Sequence, residues 1–173
     1  MWVLETERLA LRQFRIDDVD GLLQIFADPE AMRFYPAPFT REQTEGWVRW
    51  SLDSYEKHGF GLWAVVRKED GLFLGDCGLM LQPVEERTEL EIGYHIPRRE
   101  WGRGYATEAA YACRERALGT LAYPRVVSIV DPLNMASRRV AEKVHTSMRE
   151  FMWVKSRKVM CLYSTERNPS VET

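Results

Sequence analysis

One stretch of the chain, from Arg87 to Tyr111, contains in order a strand, a proline, a basic turn with two glycines and a helix start (RTELEIGYHIPRREWGRGYATEAAY). The order is informative because the first turn of a helix leaves several backbone N–H groups without partners, and the helix dipole adds about half a positive charge there. Gly102 and Gly104 allow the backbone to approach an anion without an intervening Cβ. The same turn carries three cations, at Arg98, Arg99 and Arg103. The stretch therefore predicts a phosphate-binding turn.

The spacing of the glycines excludes two common phosphate-binding motifs. A Walker A loop needs Lys and then Ser or Thr after its second glycine, whereas Tyr105 and Ala106 follow Gly104. A dinucleotide-binding turn needs a third glycine, and Thr107 stands at that position. What remains is the pattern R-x-x-G-x-G, which the chain fills with Arg99, Glu100, Trp101, Gly102, Arg103 and Gly104.

This pattern resembles the pyrophosphate-binding signature of the Gcn5-related N-acetyltransferase (GNAT) family, which holds coenzyme A there. A longer string, Glu91-Ile92-Gly93-Tyr94, then Pro97, then WGRGYATEA from Trp101 to Ala109, is similar to its RimJ/RimL-like branch of ribosomal-protein N-terminal acetyltransferases. The resemblance covers nearly the whole chain and implies an α/β (α+β) GNAT fold, as a single domain over residues 1–173. It implies acetyl-CoA as the cofactor, whose pantetheine arm enters a V between the splayed fourth and fifth strands.

Hydrophobic periodicity predicts a mixed, mostly antiparallel sheet of about six to seven strands flanked by helices. Strands are expected at residues 7–14, 60–67, 72–81, 88–96, 125–130 and 148–164. Helices are expected at residues 18–27, from a capping box of Thr40 and Gln43, from Gly104 to about Leu121, and at 134–145. The strand–helix–strand order around residue 104 predicts a right-handed parallel crossover. Residues 167–173 are expected to be a frayed tail.

Composition excludes several classes of protein. A net charge of −2 argues against a dedicated nucleic-acid binder. No stretch approaches the roughly 20 apolar residues that span a bilayer, and the amino terminus lacks the pattern of a signal peptide. The three cysteines are widely spaced, as is typical of reduced thiols in a cytoplasmic protein, and neither they nor the three histidines have metal-binding spacing. We therefore expect a cytoplasmic monomer or homodimer with no metal, membrane or nucleic-acid partner.

Acetyl transfer to an amine requires a group that removes a proton from the ammonium form. Glu89 and Glu91 share one face of their strand, and Glu91 is the preferred general base; a solvated or salt-bridged carboxylate is the alternative. The resemblance places Asn134 against the cofactor arm and Ser137 close to its sulfur, as a candidate proton donor to the thiolate. The alternative is an N-cap role for Asn134 and an ordinary first-turn position for Ser137.

The resemblance assigns cofactor binding to the strand end, the turn, the helix start and the Asn134 motif. The predicted cofactor-binding residues are Tyr94, His95, Ile96, Arg99, Glu100, Trp101, Gly102, Arg103, Gly104, Tyr105, Ala106, Asn134 and Ser137. In the family the first third of the chain overhangs the acceptor, so Phe34, Tyr35 and Trp47 are candidates to line the acceptor site. Packing in the core is the alternative for these aromatic side chains.

The chain departs from the family pattern at the end of its last helix, where Lys143-Val144-His145-Thr146 replaces the usual Lys-Leu-Gly-aromatic. Without the glycine, His145 or Thr146 takes a left-handed conformation or the helix ends differently. The sequence as a whole predicts an N-acetyltransferase acting on a primary amine such as a protein α-amine. Two alternatives stay open: an enzyme of the same fold that modifies an antibiotic or polyamine, and a non-catalytic acyl-CoA sensor.

Overall fold

The computed structural model of the chain describes residues 1–168, and its strands form one mixed sheet. The strands are β1 (Leu4–Glu5), β2 (Leu9–Arg12), β3 (Leu62–Arg67), β4 (Phe73–Val84), β5 (Arg87–His95), β6 (Arg125–Val130), β7 (Ser147–Trp153) and β8 (Lys158–Glu166). Their order across the sheet is β1-β2-β3-β4-β5-β6-β8-β7. Every neighbouring pair is antiparallel except β5 and β6, so the mixed, mostly antiparallel GNAT-type sheet is confirmed.

The sheet has eight strands rather than the six or seven expected, for two reasons. The first is β1, whose two residues are too few to show an alternating pattern. The second is the predicted last strand, residues 148–164, which is a hairpin of β7 and β8. Its turn, residues 154–157 (VKSR), contains no Gly, Asn or Pro, and Arg157 takes a φ of 53° in their place.

Four α-helices flank the sheet: α1 (Val19–Phe26), α2 (Arg41–His58), α3 (Tyr105–Glu115) and α4 (Met135–Val144). α2 begins with the predicted capping box of Thr40 and Gln43 and ends at Gly59, whose φ of 75° is left-handed. α3 passes into a π-helical turn over Arg116–Thr120, so the expected helix changes its hydrogen-bond pattern before Leu121. No helix within residues 1–168 is long and apolar enough to cross a membrane.

α4 ends without a left-handed residue. His145 has φ −106° and ψ 163°, so the chain passes directly from the helix into an extended conformation. The predicted strain at His145 or Thr146 is therefore absent, because the helix ends differently instead. The predicted tail falls partly on residues 169–173, which lie outside the described residues; Arg167 still donates its N–H to the Pro124 carbonyl at 2.8 Å.

The sheet opens between β5 and β6. The two parallel strands are in register only at Glu91 and Val127, although β5 continues to His95 and β6 to Val130. This is the predicted V, now between the fifth and sixth strands because β1 precedes those predicted. α3 and the π-helical turn after it make the crossover between the two strands. They pack closely on the sheet through small side chains that are fully buried, at Ala109, Ala110, Cys113 and Ala117.

Candidate active site

A cleft of about 720 Å³ runs from the glycine turn, through the V, to the loop between α1 and α2. The tip of the β7–β8 hairpin closes its far side. All the predicted site residues line this cleft except Arg99 and Arg103, which lie outside its wall. The fold therefore brings together residues that are up to about a hundred positions apart in the chain, from Phe34 to Ser137.

The glycine turn presents a run of backbone N–H groups. Within the described chain, the N–H groups of residues 102–107 donate to no other group. Gly102 and Gly104 have φ values of 76° and 81°, a left-handed conformation that only glycine adopts at little cost. Successive unpaired N–H groups at a helix start form a concave anion site, and these residues fit the diphosphate of a nucleotide cofactor. The N–H groups of Glu100 and Trp101 are not part of this set, because they donate to Pro97 and Arg98 carbonyls.

The charged side chains of the turn have different partners. Arg98 pairs with Asp28 at 3.2 Å and Arg103 with Glu100 at 3.4 Å, whereas Arg99 forms no ion pair within residues 1–168. Glu100 is buried and also contacts Arg67 of β3 at 3.3 Å. Because its carboxylate faces cations and its N–H is used, Glu100 anchors the turn to the sheet and offers no donor to an anion.

A second anchor holds the other side of the turn. The Arg8 side chain donates to the Arg103 carbonyl at 2.9 Å and pairs with Glu108 of α3 at 2.7 Å. The Arg8 guanidinium also lies over the Tyr105 ring, 4.6 Å from its centroid, and Tyr105 is buried. The turn is thus fixed in shape before any ligand arrives, which reduces the entropy cost of binding.

Glu91 occupies the point where the two arms of the V meet. Its side chain is buried, and its Oε1 accepts the Ile129 N–H at 3.4 Å across the opening. Burial raises the pKa of Glu91 to about 7, while hydrogen bonds from the Gln82 side chain and Ile129 oppose the shift. Glu89, on the same strand face, instead pairs with Arg125 at 3.4 Å. The salt-bridge alternative therefore applies to Glu89, and Glu91 forms no ion pair within the described residues.

The start of α4 forms the opposite wall. Asn134 caps the helix, because its Oδ1 accepts the Ser137 N–H at 3.1 Å. The Tyr94 hydroxyl donates to the Ser137 carbonyl at 2.9 Å and ties β5 to α4. The Ser137 side chain lines the cleft and hydrogen-bonds with the Tyr94 side chain.

A buried histidine supports this wall from behind. His145 Nε2 is 2.9 Å from the Ser128 hydroxyl, which donates to the Ile92 carbonyl at 3.0 Å. Burial lowers the pKa of His145 to about 4, and the nearby Arg114 adds to the effect, so the imidazole is neutral at physiological pH. The link connects α4, β6 and β5 at the V. The sequence feature that pointed to this link was His145, which stands where the family pattern has a glycine.

The end of the cleft lined by Phe34, Tyr35 and Trp47, named the acceptor half after its predicted role, is aromatic, and behind it lies a buried carboxylate that the sequence did not indicate. Asp76 of β4 is completely buried and accepts hydrogen bonds from Trp47 Nε1 at 2.8 Å and from His95 Nδ1 at 2.7 Å. The His95 Nε2 lies 2.6 Å from the Tyr35 hydroxyl. The His95 side chain thus contacts Tyr35 of the acceptor half, and cofactor binding by this residue stays a prediction. The available signal was a lone aspartate inside an apolar strand, LFLGDCGLML.

The β7–β8 hairpin, predicted as a single strand, supplies the remaining wall. Lys155 Nζ donates to the Gln82 side chain at 2.6 Å, and Trp153 Nε1 donates to the Pro83 carbonyl at 3.3 Å. Both contacts fasten the hairpin tip to the end of β4. The tip places Lys155 and Lys158 beside the opening of the cleft.

The chain matches the model of the acetyltransferase (GNAT) domain over residues 8–147. The Bacillus subtilis protein YkkB is 39% identical over 142 residues, which is 82% of this chain and 83% of YkkB. The FsC-acetyl coenzyme A-N(2)-transacetylase of Aspergillus fumigatus is 30% identical over 146 residues, which is 79% of this chain and 61% of that protein.

Solved structures give the same fold. An acetyltransferase from Agrobacterium tumefaciens has a TM-score of 0.82 at 29% identity, covering 94% of this chain and 93% of that one. RimL, a ribosomal α-N-protein acetyltransferase solved in complex with coenzyme A, has a TM-score of 0.76 at 15% identity, covering 96% and 98%; at that identity the likeness concerns the fold alone. The chain therefore belongs to the GNAT acetyltransferase family and is an enzyme that uses acetyl-CoA.

Proposed function

We propose that the protein transfers the acetyl group of acetyl-CoA to a primary amine, and that the preferred acceptor is a protein N-terminal α-amine, as in the RimJ/RimL branch. The proposal treats residues 1–173 as a single catalytic domain that acts in the cytoplasm as a monomer or homodimer. The observation that carries it is Glu91, a buried carboxylate without an ion-pair partner in the described chain, placed where the phosphate-binding turn and the aromatic wall share one cleft.

The turn and the V fit the cofactor. The unpaired N–H groups of residues 102–107 would hold the diphosphate, with Arg99 and Arg103 supplying positive charge nearby. The edge of β5 beyond Glu91, which has no partner in β6, offers backbone groups to the pantetheine arm. When bound, acetyl-CoA supplies an activated acetyl thioester and a thiolate leaving group.

Glu91 is suited to accept a proton from the amine. A primary amine has a pKa of about 8 to 10 in water and therefore arrives protonated. A general base works best when its own pKa lies near the operating pH, and burial places the pKa of Glu91 at about 7. The Ser137 hydroxyl, on the facing wall beside Tyr94, is the candidate that donates a proton to the thiolate. Holding both partners in one cleft contributes further by proximity.

The charges of the cleft favour an acceptor with one amine. Apart from Glu91, the carboxylates that line it in the described chain are engaged: Glu100 with Arg67, and Asp131 with the Leu133 N–H at 2.9 Å. A polyamine needs several converging carboxylates, so this arrangement disfavours one. The similarity to the Aspergillus transacetylase supports a second candidate function, the N-acetylation of a small-molecule amine.

An acceptor panel tests the proposal. Thiol release from acetyl-CoA is measured with short peptides that have a free α-amine, with the same peptides blocked at the α-amine but carrying a lysine, and with small amines including spermidine. We expect release that depends on the free α-amine. Release with small amines alone would establish the second candidate instead. Tight coenzyme A binding without release for any acceptor would overturn catalysis and leave the acyl-CoA sensor.

A further inference from the structure

A chain of hydrogen bonds that the general base does not use leads from the cleft into the sheet. It starts at the Tyr35 hydroxyl, passes through the His95 ring and ends at the Asp76 carboxylate, with heavy-atom distances of 2.6 and 2.7 Å. Trp47 Nε1 occupies the second oxygen of Asp76 at 2.8 Å. Asp76 is fully buried, whereas Tyr35 is 37% exposed and lines the cleft. This series of hydrogen bonds therefore has one end at the cleft surface and the other in the protein interior.

The hydrogen bonds between Tyr35, His95 and Asp76 can have only one direction when Asp76 is ionised. A carboxylate only accepts and an indole only donates, so the His95 Nδ1–H donates to Asp76. In the neutral imidazole the Nε2 is then an acceptor, and the Tyr35 hydroxyl donates to it. This is the tautomer in which His95 can take up a proton from the side of the cleft.

Packing holds the His95 ring in this orientation. Phe26 and Trp47 contact it edge to face, with ring centroids 5.0 and 5.7 Å away. Asp76 and His95 are direct cross-strand partners, so the β4–β5 pairing fixes their separation. The titratable groups facing His95 are Asp76 from β4, Tyr35 from the loop between α1 and α2, and Glu91 from β5 itself.

Glu91 and His95 flank Gly93, where the Met80 side chain packs 3.0 Å from the position a Cβ would take. They lie on the same face of β5, four residues apart, and Gly93 between them carries no side chain. All three line the cleft. An amine bound in the cleft between these residues would therefore have Glu91 on one side and the Tyr35–His95 pair on the other.

Acetylation of a protonated amine needs two groups that accept a proton. An ammonium must lose one proton before its nitrogen can attack and a second as the amide forms, and a carboxylate holds only one proton at a time. We propose that Tyr35, His95 and Asp76 form a proton relay for the acceptor amine, and that the relay takes the first of these protons while Glu91 takes the second. This inference rests on the proposed function.

The relay step balances. An N–H bond of the ammonium breaks and an O–H bond forms on Tyr35, while the original Tyr35 O–H breaks and an N–H forms at His95 Nε2. The positive charge thereby moves from the ammonium to the imidazolium, next to the Asp76 carboxylate, and leaves a neutral amine. Tyr35 contacts the amine, whereas His95 and Asp76 act through it. The same arrangement with serine in place of tyrosine activates hydrolases.

The tautomer of His95 is the first test and needs no activity. Nitrogen NMR of the imidazoles in the full chain, with His95→Gln used to assign the signal, should show Nδ1 protonated and Nε2 unprotonated at neutral pH. Tyr35→Phe should change the Nε2 signal and leave Nδ1 protonated. A His95 protonated at Nε2 rather than Nδ1 in the neutral form overturns the relay.

Kinetics across pH are the second test. His95→Gln and Tyr35→Phe should each lower kcat about 10- to 100-fold at neutral pH without changing the KM for acetyl-CoA. The loss should shrink as the pH approaches the pKa of the acceptor amine, because a neutral amine has no first proton to give. The matched control is His58→Gln: this exposed imidazole stacks on Phe60 at the end of α2, outside the cleft, and its loss should leave kcat unchanged.

The outcomes separate the relay from the proposed function. A wild-type enzyme that turns over, with a His95→Gln loss that is equal at every pH, overturns the relay and leaves the acetyltransferase assignment intact. A wild-type protein that releases no thiol with any amine overturns both. Unchanged coenzyme A binding by each variant shows that the variant is folded, so a kinetic loss then belongs to the relay.

Discussion

The two halves of the cleft are built in different ways. The half proposed to bind the cofactor presents backbone N–H groups from one stretch, residues 102–107, anchored by Glu100 and Arg8. The acceptor half consists of side chains from the loop after α1, from α2, from β4 and from β5, joined by hydrogen bonds around Asp76. One half is local in sequence and uses the main chain, and the other is assembled from distant positions.

This difference has a functional consequence. A diphosphate can be bound by any sequence that keeps the glycines and the helix start, because main-chain donors do not depend on side-chain identity. The acceptor half depends on which side chains stand at a few positions, such as Tyr35, Asp76 and His95. The cofactor site should therefore tolerate side-chain substitutions outside its glycines. At the acceptor site, a substitution that removes a single polar atom should change the activity.

The largest effect is expected from closing the cofactor half. Gly104→Glu places a carboxylate among the N–H groups of the turn and forces a non-glycine residue to adopt a φ of 81°. We expect acetyl-CoA binding to fall by at least about 100-fold, measured by calorimetry, because like charge and lost access act together.

The matched control is Gly59→Glu. Gly59 also has a left-handed φ, 75°, with open space where a Cβ would stand, and it lies at the end of α2 outside the cleft. It therefore reproduces the backbone strain and the added charge without touching the turn. Equal binding losses in the two variants would mean that the turn is not the diphosphate site.

The next largest effect is expected from Glu91→Gln. This change should lower kcat/KM by about 10²- to 10⁴-fold and remove the rising limb of the pH profile. The wild type should gain activity as the pH rises through about 7, because Glu91 accepts a proton only when it is ionised. Glu89→Gln is the control, since its carboxylate pairs with Arg125 at 3.4 Å and should leave that limb in place.

The same substitution has a separate consequence for stability. The folded-state pKa of Glu91 is raised above the unfolded value, so its contribution is fully present below the unfolded pKa, 4.5, and is lost as pH rises through about 7. Above that pH, burial of the ionised group costs up to about 3 kcal/mol. Urea unfolding should therefore show Glu91→Gln gaining stability relative to the wild type between about pH 4.5 and 7, with no further change above that. A constant difference across this range would contradict the raised pKa.

The same contrast explains what the sequence could reveal. The turn was predictable because its determinants, two glycines between a strand and a helix, are adjacent in the chain and act through the backbone. The Thr40 capping box was predictable for the same reason. The role of Asp76 was not, because it depends on the cross-strand register that sets Asp76 opposite His95, and on α2 bringing Trp47 to the same carboxylate.

The β7–β8 hairpin that forms the far wall of the cleft could not be predicted from the sequence, for a related reason. Residues 154–157 contain no Gly, Pro, Asn or Asp, and the reversal there is stabilised by non-local contacts of Trp153 with Pro83 and of Lys155 with Gln82. The two-residue strand β1 likewise depends on its pairing with β2. Where tertiary contacts decide a local conformation, periodicity carries no signal for it.

The smallest effect comes from the charge at the hairpin tip. Lys155 Nζ donates to Gln82, whose side chain contacts Glu91, and its positive charge lowers the pKa of Glu91. Lys155→Met should therefore raise the apparent pKa of the kcat/KM profile by about 0.2 to 0.5 pH unit at low salt, with a smaller shift at high salt. Lys158→Met, on the same hairpin but without this contact, should leave the profile unchanged. Neither variant should alter the affinity for acetyl-CoA, since the proposed diphosphate site consists of main-chain donors at the other end of the cleft. A change in that affinity with Lys155→Met would mean that the two halves are coupled, and the division between them would not hold.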